Sequence, residues 1–297
     1  MMSKVINIEK KLINAIHNNF IQYTSKKISK KEIKDKIIPI FLYLNNSKKN
    51  MFLFSGCQGI GKTTIVKILS NNFYQFFGKK ILSLRLDDFY YDKIYRKKLS
   101  KLIHPLMITR GVPGTHNVSE ILNIIKKFNK SQYPIEIPIF DKLNDKRLKK
   151  MQTIKTKFDI LILEGWCCGS PPLTKKFLQN NLNILEKEFD KDYIWRNYYN
   201  NKLKYEYLKL FKLFQRTVYF QTSSFTHVLN WRLKQENKMK KRYAKNKKGM
   251  SKNEIAKFIQ HYEKITRWMM KVLPKKADLT LLVDKNQKIK RINENIK

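Results

Sequence analysis

The chain has 297 residues and carries 63 Lys+Arg against 23 Asp+Glu, a formal net charge of +40. With 42% hydrophobic and 12% aromatic residues it can bury a substantial core, which excludes a disordered basic tail. No run of 18 apolar residues offers a transmembrane helix.

In chain order, residues 1–46 predict a helical extension. Its apolar positions are spaced for two helices, Val5, Ile8, Leu12, Ile16 and Phe20, then Ile33, Ile37, Ile40 and Leu44, around a polar stretch from Tyr23 to Lys31. Residues 50–55 predict a buried strand, 63–77 a helix stopped by Gly78, and 80–86 a second strand ending at Asp87-Asp88. A basic loop with a short helix spans 90–115, and 117–128 predict a helix. Residues 135–140 predict a short strand in which Pro138 argues for an edge or irregular position. The run 158–164 is the most strand-like of the chain. A helical insert covers 174–213, a strand 216–221, basic helices 224–272 and a last strand 278–284. Strands alternating with helices predict an α/β fold. It is read as a single domain over 47–297, with 224–248 as a lid region.

The N-terminus lacks the apolar segment and small-residue cleavage site of a secretory leader. Cys57, Cys167 and Cys168 show no CxxC spacing, which argues against a disulfide framework or a zinc site. A soluble cytoplasmic protein is the expectation. The charge invites nucleic acid as a partner, but only 10 of the 63 cations are Arg, and the lysines are spread along the whole chain. Nucleic-acid readers favour the bidentate guanidinium fork, so the excess reads as solvated surface and nucleic acid is not expected.

The nine glycines are concentrated. Gly56, Gly59 and Gly61 fall in one loop, Gly111 and Gly114 in a second, Gly165 and Gly169 in a third. Residues 56–63 read G-C-Q-G-I-G-K-T, which satisfies G-x-x-x-x-G-K-[ST] between a strand and a helix. In such a loop successive backbone N–H groups cradle phosphate oxygens at a helix N-terminus, so Gly56, Gln58, Gly59, Ile60, Gly61, Lys62, Thr63 and Thr64 are expected to hold a nucleoside triphosphate. Lys62 would reach the β- and γ-phosphates, and the Thr63 hydroxyl would ligate Mg²⁺. ATP and Mg²⁺ are the cofactors expected.

Carboxylates at strand ends narrow the chemistry, because ligands of open parallel sheets bind beyond the carboxyl ends of the strands. Glu164 closes the apolar run FDILIL at the position of a second Mg²⁺ ligand. Asp87 and Asp88 close the second strand, where a carboxylate can accept the proton of an attacking hydroxyl.

The set RLDDFY (85–90), RGVPGTHN (110–117), PIFDK (138–142), LILEGWCCG (161–169), VLNWRLKQEN (228–237) and GMSKNEIAKFIQHY (249–262) resembles the D-glycerate 3-kinase family, P-loop kinases related to phosphoribulokinase, uridine kinase and pantothenate kinase. The resemblance spans about residues 35–285. It implies a three-layer P-loop NTPase sandwich on a central parallel sheet of about five strands, with added N-terminal and lid helices. The implied reaction is transfer of the γ-phosphoryl of MgATP to the 3-hydroxyl of D-glycerate, giving 3-phosphoglycerate and ADP. The implied roles are Asp87 as base, Asp88 beside it, and Arg110, His116, Asp141 and Lys142 around the acceptor. Glu164 would hold the metal, and Arg232 on the lid would face the transferring phosphoryl group, helped by Lys238 and Arg242. Trp166 and Trp231 read as packing residues. Two departures bear on the acceptor: Asn117 stands where the family usually has Asp, and the stretch after Asp141-Lys142 shrinks to LNDKR (143–147), with Asp145 and Arg147 matching its end. A nucleoside or pantothenate-like acceptor is the alternative within the class, and a nucleic-acid-associated ATPase the alternative outside it.

Overall fold

Five apolar runs become parallel strands: β1 (Met51–Ser55), β2 (Ile81–Arg85), β3 (Ile160–Gly165), β4 (Arg216–Thr222) and β5 (Leu279–Val283). They are seen in a computed structural model that describes residues 2–242 and 249–295, with side chains for all of these but 2–6, 238, 239, 241 and 242. β1 and β3 are buried at every position, as expected of central strands covered on both faces. The parallel order β5-β4-β1-β3-β2 is extended beyond β5 by β6 (Ile289–Glu294), which runs antiparallel.

The expected parallel sheet of about five strands is present, and β6 adds a sixth, antiparallel strand at its edge. β6 escapes a sequence reading because its pairing register shifts between Ile289 and Arg291. The irregularity puts its two inward apolar residues, Ile289 and Ile292, three positions apart, and the alternation of a strand is lost. Its Lys and Arg residues suit an edge that must not pair further. The predicted strand over 135–140 lies outside this sheet. Ile135–Ile137 pairs with Gln152–Ile154, and Phe140–Asp141 with Lys146–Arg147, as two small antiparallel ladders broken at Pro138.

Two apolar layers cover the sheet and make the expected three-layer sandwich. On one face Leu12, Ile16, Ile33, Ile37 and Phe41 of the N-terminal helices share a cluster with Phe52, Phe54, Ile65, Leu69 and Phe220. These helices are α1 (Met2–Thr24) and the stretch 30–46, which opens on a capping box between Ser29 and Glu32 and contains a π-helical turn. On the other face Leu84, Val118, Ile121, Trp166, Trp195, Tyr207 and Tyr262 form the second cluster. The helical insert contributes here through Lys175–Gln179, Ile184–Phe189 and the stretch 194–211. Arg196, fully buried, holds it together: Nε donates to Asp190 at 2.7 Å, and Glu186 in turn accepts Lys264 at 3.1 Å from the helix Lys252–Val272.

Trp166 and Trp231 are buried packing residues, as expected, and each donates its indole N–H to a backbone carbonyl, of Gly111 and Lys285 respectively. The three cysteines are free and buried. Among the described residues no helix is long and apolar enough to cross a membrane.

Candidate active site

Register carries the candidate residues to one edge. Phe54 and Arg85 flank Glu164 across the sheet, and Ser55 lies opposite Gly165. The loop after β1, the carboxylate of β3 and the Asp87-Asp88 turn after β2 therefore share the carboxyl edge of the strands, where open α/β sheets bind ligands.

The loop 56–61 runs from β1 into α2 (Lys62–Phe77). Gly59 has φ +76°, and a Cβ there would meet Trp231 Cβ at 2.6 Å, so only glycine lets the helix α3 (Thr226–Arg242) lie on the loop. Lys62 is buried and its ammonium donates to the carbonyls of Gly56 at 2.5 Å and Cys57 at 3.0 Å, which places the charge over the loop. Thr63 Oγ1 donates to Glu164 Oε2 at 2.9 Å. Burial pushes the Glu164 carboxyl up, against the opposing pull of Lys62 and of the Thr63 hydroxyl. A hydroxyl and a carboxylate joined at a helix N-terminus are the hard oxygen donors that fit Mg²⁺. Among the described residues no three His, Cys, Asp or Glu side chains form a metal cluster of their own, so phosphate oxygens and water would complete such a shell.

Beyond Glu164 opens a cleft lined by Gln58, Asp87, Tyr90, Arg110, Lys142, Asp145, Arg232 and Tyr262. Asp87 stands in a 3₁₀ turn, Leu86–Phe89, and accepts from the Lys142 ammonium and from the Tyr90 hydroxyl at 3.1 Å. Burial pushes its carboxyl up, but Lys142, the field of His116 and the Tyr90 hydrogen bond outweigh burial and hold it well below the usual range. Arg110 donates to Asp145 Oδ1 at 2.5 Å and to the Lys142 carbonyl at 3.0 Å, over the ring of Phe140. Its loop is braced from behind, since Gly111 has φ +139° and lies so close to Tyr262 that no side chain fits. Arg232 Nη1 pairs with Glu236 at 2.7 Å on α3.

Of the predicted acceptor residues, Arg110 and Lys142 line this cleft. Three others are turned to different tasks. Asp88 is buried and held by Arg85 through two bonds of 2.7 and 3.0 Å, and it also accepts the Phe140 N–H. It ties β2 to the neighbouring ladder. Asp141 accepts the N–H groups of Leu143 and Asn144 at 2.9 and 3.2 Å and caps that turn. His116 is fully buried against the Tyr90 ring, 4.4 Å between centroids, with Nδ1 at 2.6 Å from the Tyr207 hydroxyl. Gly114 N–H donates to the same hydroxyl at 3.1 Å, so one tyrosine oxygen holds both the imidazole and the loop backbone. Burial pushes the His116 pKa down to about 3.

Gln58, expected at the phosphates, lines the cleft. Ile60, Gly61 and Thr64 instead border a cavity on the opposite side of the loop. The side chains of Lys238 and Arg242, and residues 243–248 of the lid region, lie outside the described residues. Sequence reasoning missed Asp145 as a site residue. Its signal was the match of Asp145 and Arg147 to the end of a longer family motif, and the structure shows Asp145 bridging Arg110 and the buried Arg96 at 2.5 and 2.7 Å. Asn117 keeps the work an Asp would do there: Oδ1 accepts Glu120 N–H at 3.3 Å as the cap of the helix Val118–Asn129.

No protein-family model matches the chain. It is 29% identical over 286 residues to the probable ATP-dependent kinase TDA10 of Saccharomyces cerevisiae, covering 87% of this chain and 92% of that protein. It is 29% identical over 221 residues to the uncharacterized kinase mug58 of Schizosaccharomyces pombe, covering 70% and 76% respectively. Among solved structures, D-glycerate 3-kinase from Cryptococcus neoformans superposes with a TM-score of 0.69 at 22% identity, over 87% of this chain and 96% of that one. The YGR205w protein gives 0.65 at 24% identity, over 90% and 98%. The resemblance to the D-glycerate 3-kinase family therefore extends from the motifs to the fold of most of the chain.

Proposed function

We propose that this chain, a P-loop protein similar to ATP-dependent kinases, transfers the γ-phosphoryl group of ATP to a hydroxyl of a small anionic acceptor, D-glycerate being the acceptor favoured. The observation that carries the reading is one edge of the sheet on which Lys62, the Thr63–Glu164 pair and the Asp87–Lys142 pair stand together. ATP would lie with its phosphates on the backbone N–H groups of 56–63 and its γ-phosphoryl toward the cleft. Thr63 with Glu164 would hold Mg²⁺, which would supply positive charge to offset that of the triphosphate.

The chain's own contribution is then positioning and electrostatics, which dominate phosphoryl transfer. Lys62 exchanges its loop carbonyls for phosphate oxygens. Asp87 accepts the acceptor hydroxyl and aims its oxygen in line with the γ-phosphorus, and it takes the proton as the new P–O bond forms and the bond from the γ-phosphorus to the bridging oxygen breaks, releasing ADP. Arg110 receives the acceptor's carboxylate, which must compete with Asp145 for the guanidinium. Arg232, from α3, adds positive charge at the mouth.

The test is ADP release and product analysis with a panel of D-glycerate, L-glycerate, pantothenate and nucleosides. Highest kcat/KM for D-glycerate, with 3-phosphoglycerate formed, is the expected result. Turnover of only nucleosides or pantothenate would overturn the acceptor and leave the kinase reading standing.

The Asp87–Lys142 pair also fixes a pH response. Lys142→Met removes the cation that favours the ionised carboxyl, so the Asp87 pKa rises. A base must be ionised, so the acid limb of kcat should move to higher pH while the alkaline side stays in place. An acid limb that does not move would detach Lys142 from Asp87 during turnover.

A further inference from the structure

Leu102 and Ile94 are the most exposed large apolar side chains among the described residues, at 79% and 70%. Both belong to the helix Lys93–Leu102, which lies in the chain between the Asp87 turn and the Arg110 loop. Eight residues apart, they fall on one side of the helix, about 12 Å from each other along its axis. Lys98 stands between them and the exposed Tyr95 beside them. Apolar residues scattered singly over a surface need no explanation, but a row along one helix does.

The opposite side anchors the helix. Arg96 and Leu99 are buried there, and Arg96 donates to the carbonyls of Tyr91 at 3.1 Å and Ile108 at 2.5 Å. Asp92 caps the N-terminus by accepting the Tyr95 N–H at 2.7 Å, and the Tyr91 ring stacks on that of Tyr95. Ile94, Lys98 and Leu102 therefore take no part in holding the helix in place.

Charge narrows the partner. Lys93, Lys97 and Lys101 form a second exposed row along the flank of the first, and no acidic residue occurs from 93 to 119. Glu206, whose field reaches Tyr91, is paired with Lys202 at 2.9 Å. A second copy of the chain would set lysine against lysine, at a net charge of +40 each. A nucleic-acid surface would favour Arg and open aromatic faces in a groove over aliphatic side chains on a ridge. An acidic protein would have to supply a groove cut to this ridge. A bilayer with anionic headgroups meets both features at once, since it yields to a ridge, takes aliphatic side chains at the acyl boundary and draws lysines to its surface. We propose that the outward row of this helix, Ile94, Tyr95, Lys98 and Leu102, docks reversibly on an anionic phospholipid surface. Two aliphatic side chains alone bury too little for attachment, and exposed lysines alone are screened by salt; the helix presents the two signals together.

The test is sedimentation of the full chain with vesicles of phosphatidylcholine, alone or with about 30% phosphatidylserine, at ~150 mM salt. Binding is expected only to the vesicles that contain phosphatidylserine. Because the whole chain is basic, docking must be separated from attraction through bulk charge. The double variant Ile94→Ser with Leu102→Ser keeps every charge, and it should weaken partitioning about tenfold at an unchanged Tm. Ile184→Ser, at an exposed apolar residue of another helix, should leave partitioning as it is. Equal binding by the double variant and the unsubstituted chain would reduce the attraction to bulk charge and overturn the proposal. So would a double variant that keeps its vesicle binding but loses binding to poly-glutamate or duplex DNA. Leu102→Trp gives a reading independent of affinity: on bound vesicles its emission should shift to the blue and be quenched by brominated acyl chains. Emission that stays that of a water-exposed indole on vesicle-bound protein would refute the docking of this face.

Discussion

Lys62→Met should lower kcat by about 10³ or more and leave the protein folded. The substitution keeps the side chain's length and its buried stem and removes only the charge. In the structure that charge is buried over the loop, held by the carbonyls of Gly56 and Cys57. Its low exposure matters, because a charge shielded from water acts on a developing phosphate charge at a lower effective dielectric than a surface lysine would. Stability should change little. The two carbonyls lose one donor, a loss of about 1–3 kcal/mol at most, and an added phosphate or water can replace it. Single-turnover measurements with saturating ATP isolate the effect from weaker binding. A variant that keeps a near-normal single-turnover rate would show that Lys62 does not meet the transferring group, and the loop would then be a binding element alone. With some 50 other lysines in the chain, this is a sharp test of whether position or bulk charge does the work.

The contrast explains what could be read from the sequence. The phosphate loop was legible because its residue types answer to backbone geometry: Gly59 must be glycine beneath Trp231, and Lys62 follows at a fixed offset. The place of Glu164 at the carboxyl edge was legible because an unbroken apolar run marks a central strand and the acid marks its end. The five parallel strands followed from the same kind of run. What the sequence concealed was direction. His116, Asp141 and Arg110 lie in neighbouring polar loops, and nothing local says which one faces the cleft. His116 is drawn inward by Tyr207, on a π-helical turn 91 residues downstream, while Arg110 is held outward by Asp145. Asp88 differs from Asp87 by one position, yet in a 3₁₀ turn that step sends it to Arg85 and the protein interior. Partners distant in sequence decide such choices, and local pattern does not contain them. Nor did local pattern show that the segment after the first helix is tied to the phosphate loop, since Lys26 donates to Gln287, 261 residues away, which in turn donates to the Gly59 carbonyl.

Asp87→Asn should reduce kcat by about 10²–10⁴, the range of a positioned proton acceptor, with ADP affinity unchanged. Asparagine keeps the shape and can still accept the Tyr90 hydroxyl through its carbonyl oxygen, so the turn 86–89 is preserved. It cannot take a proton and cannot pair with Lys142. The Lys142 side chain is 49% exposed and that of Asp87 30%, so the lost ion pair should alter stability by no more than about 1 kcal/mol. The depressed pKa of Asp87 sharpens the expectation. An acid held this far below its usual range is a weak base, so in the proposed reaction its main service before the transition state would be to fix the acceptor hydroxyl in line with the γ-phosphorus. In a loose transition state the hydroxyl proton becomes acidic only as bonding to phosphorus develops, and a low-pKa carboxylate can accept it at that late stage. Two kinetic signatures follow. The solvent isotope effect on the chemical step should be small in the unsubstituted enzyme, and the acceptor KM should rise with the fall in kcat when Asp87 is replaced. If Asp87→Asn loses less than about tenfold in kcat, a fraction of the expected range, the proton goes elsewhere and Asp87 serves only to hold Lys142.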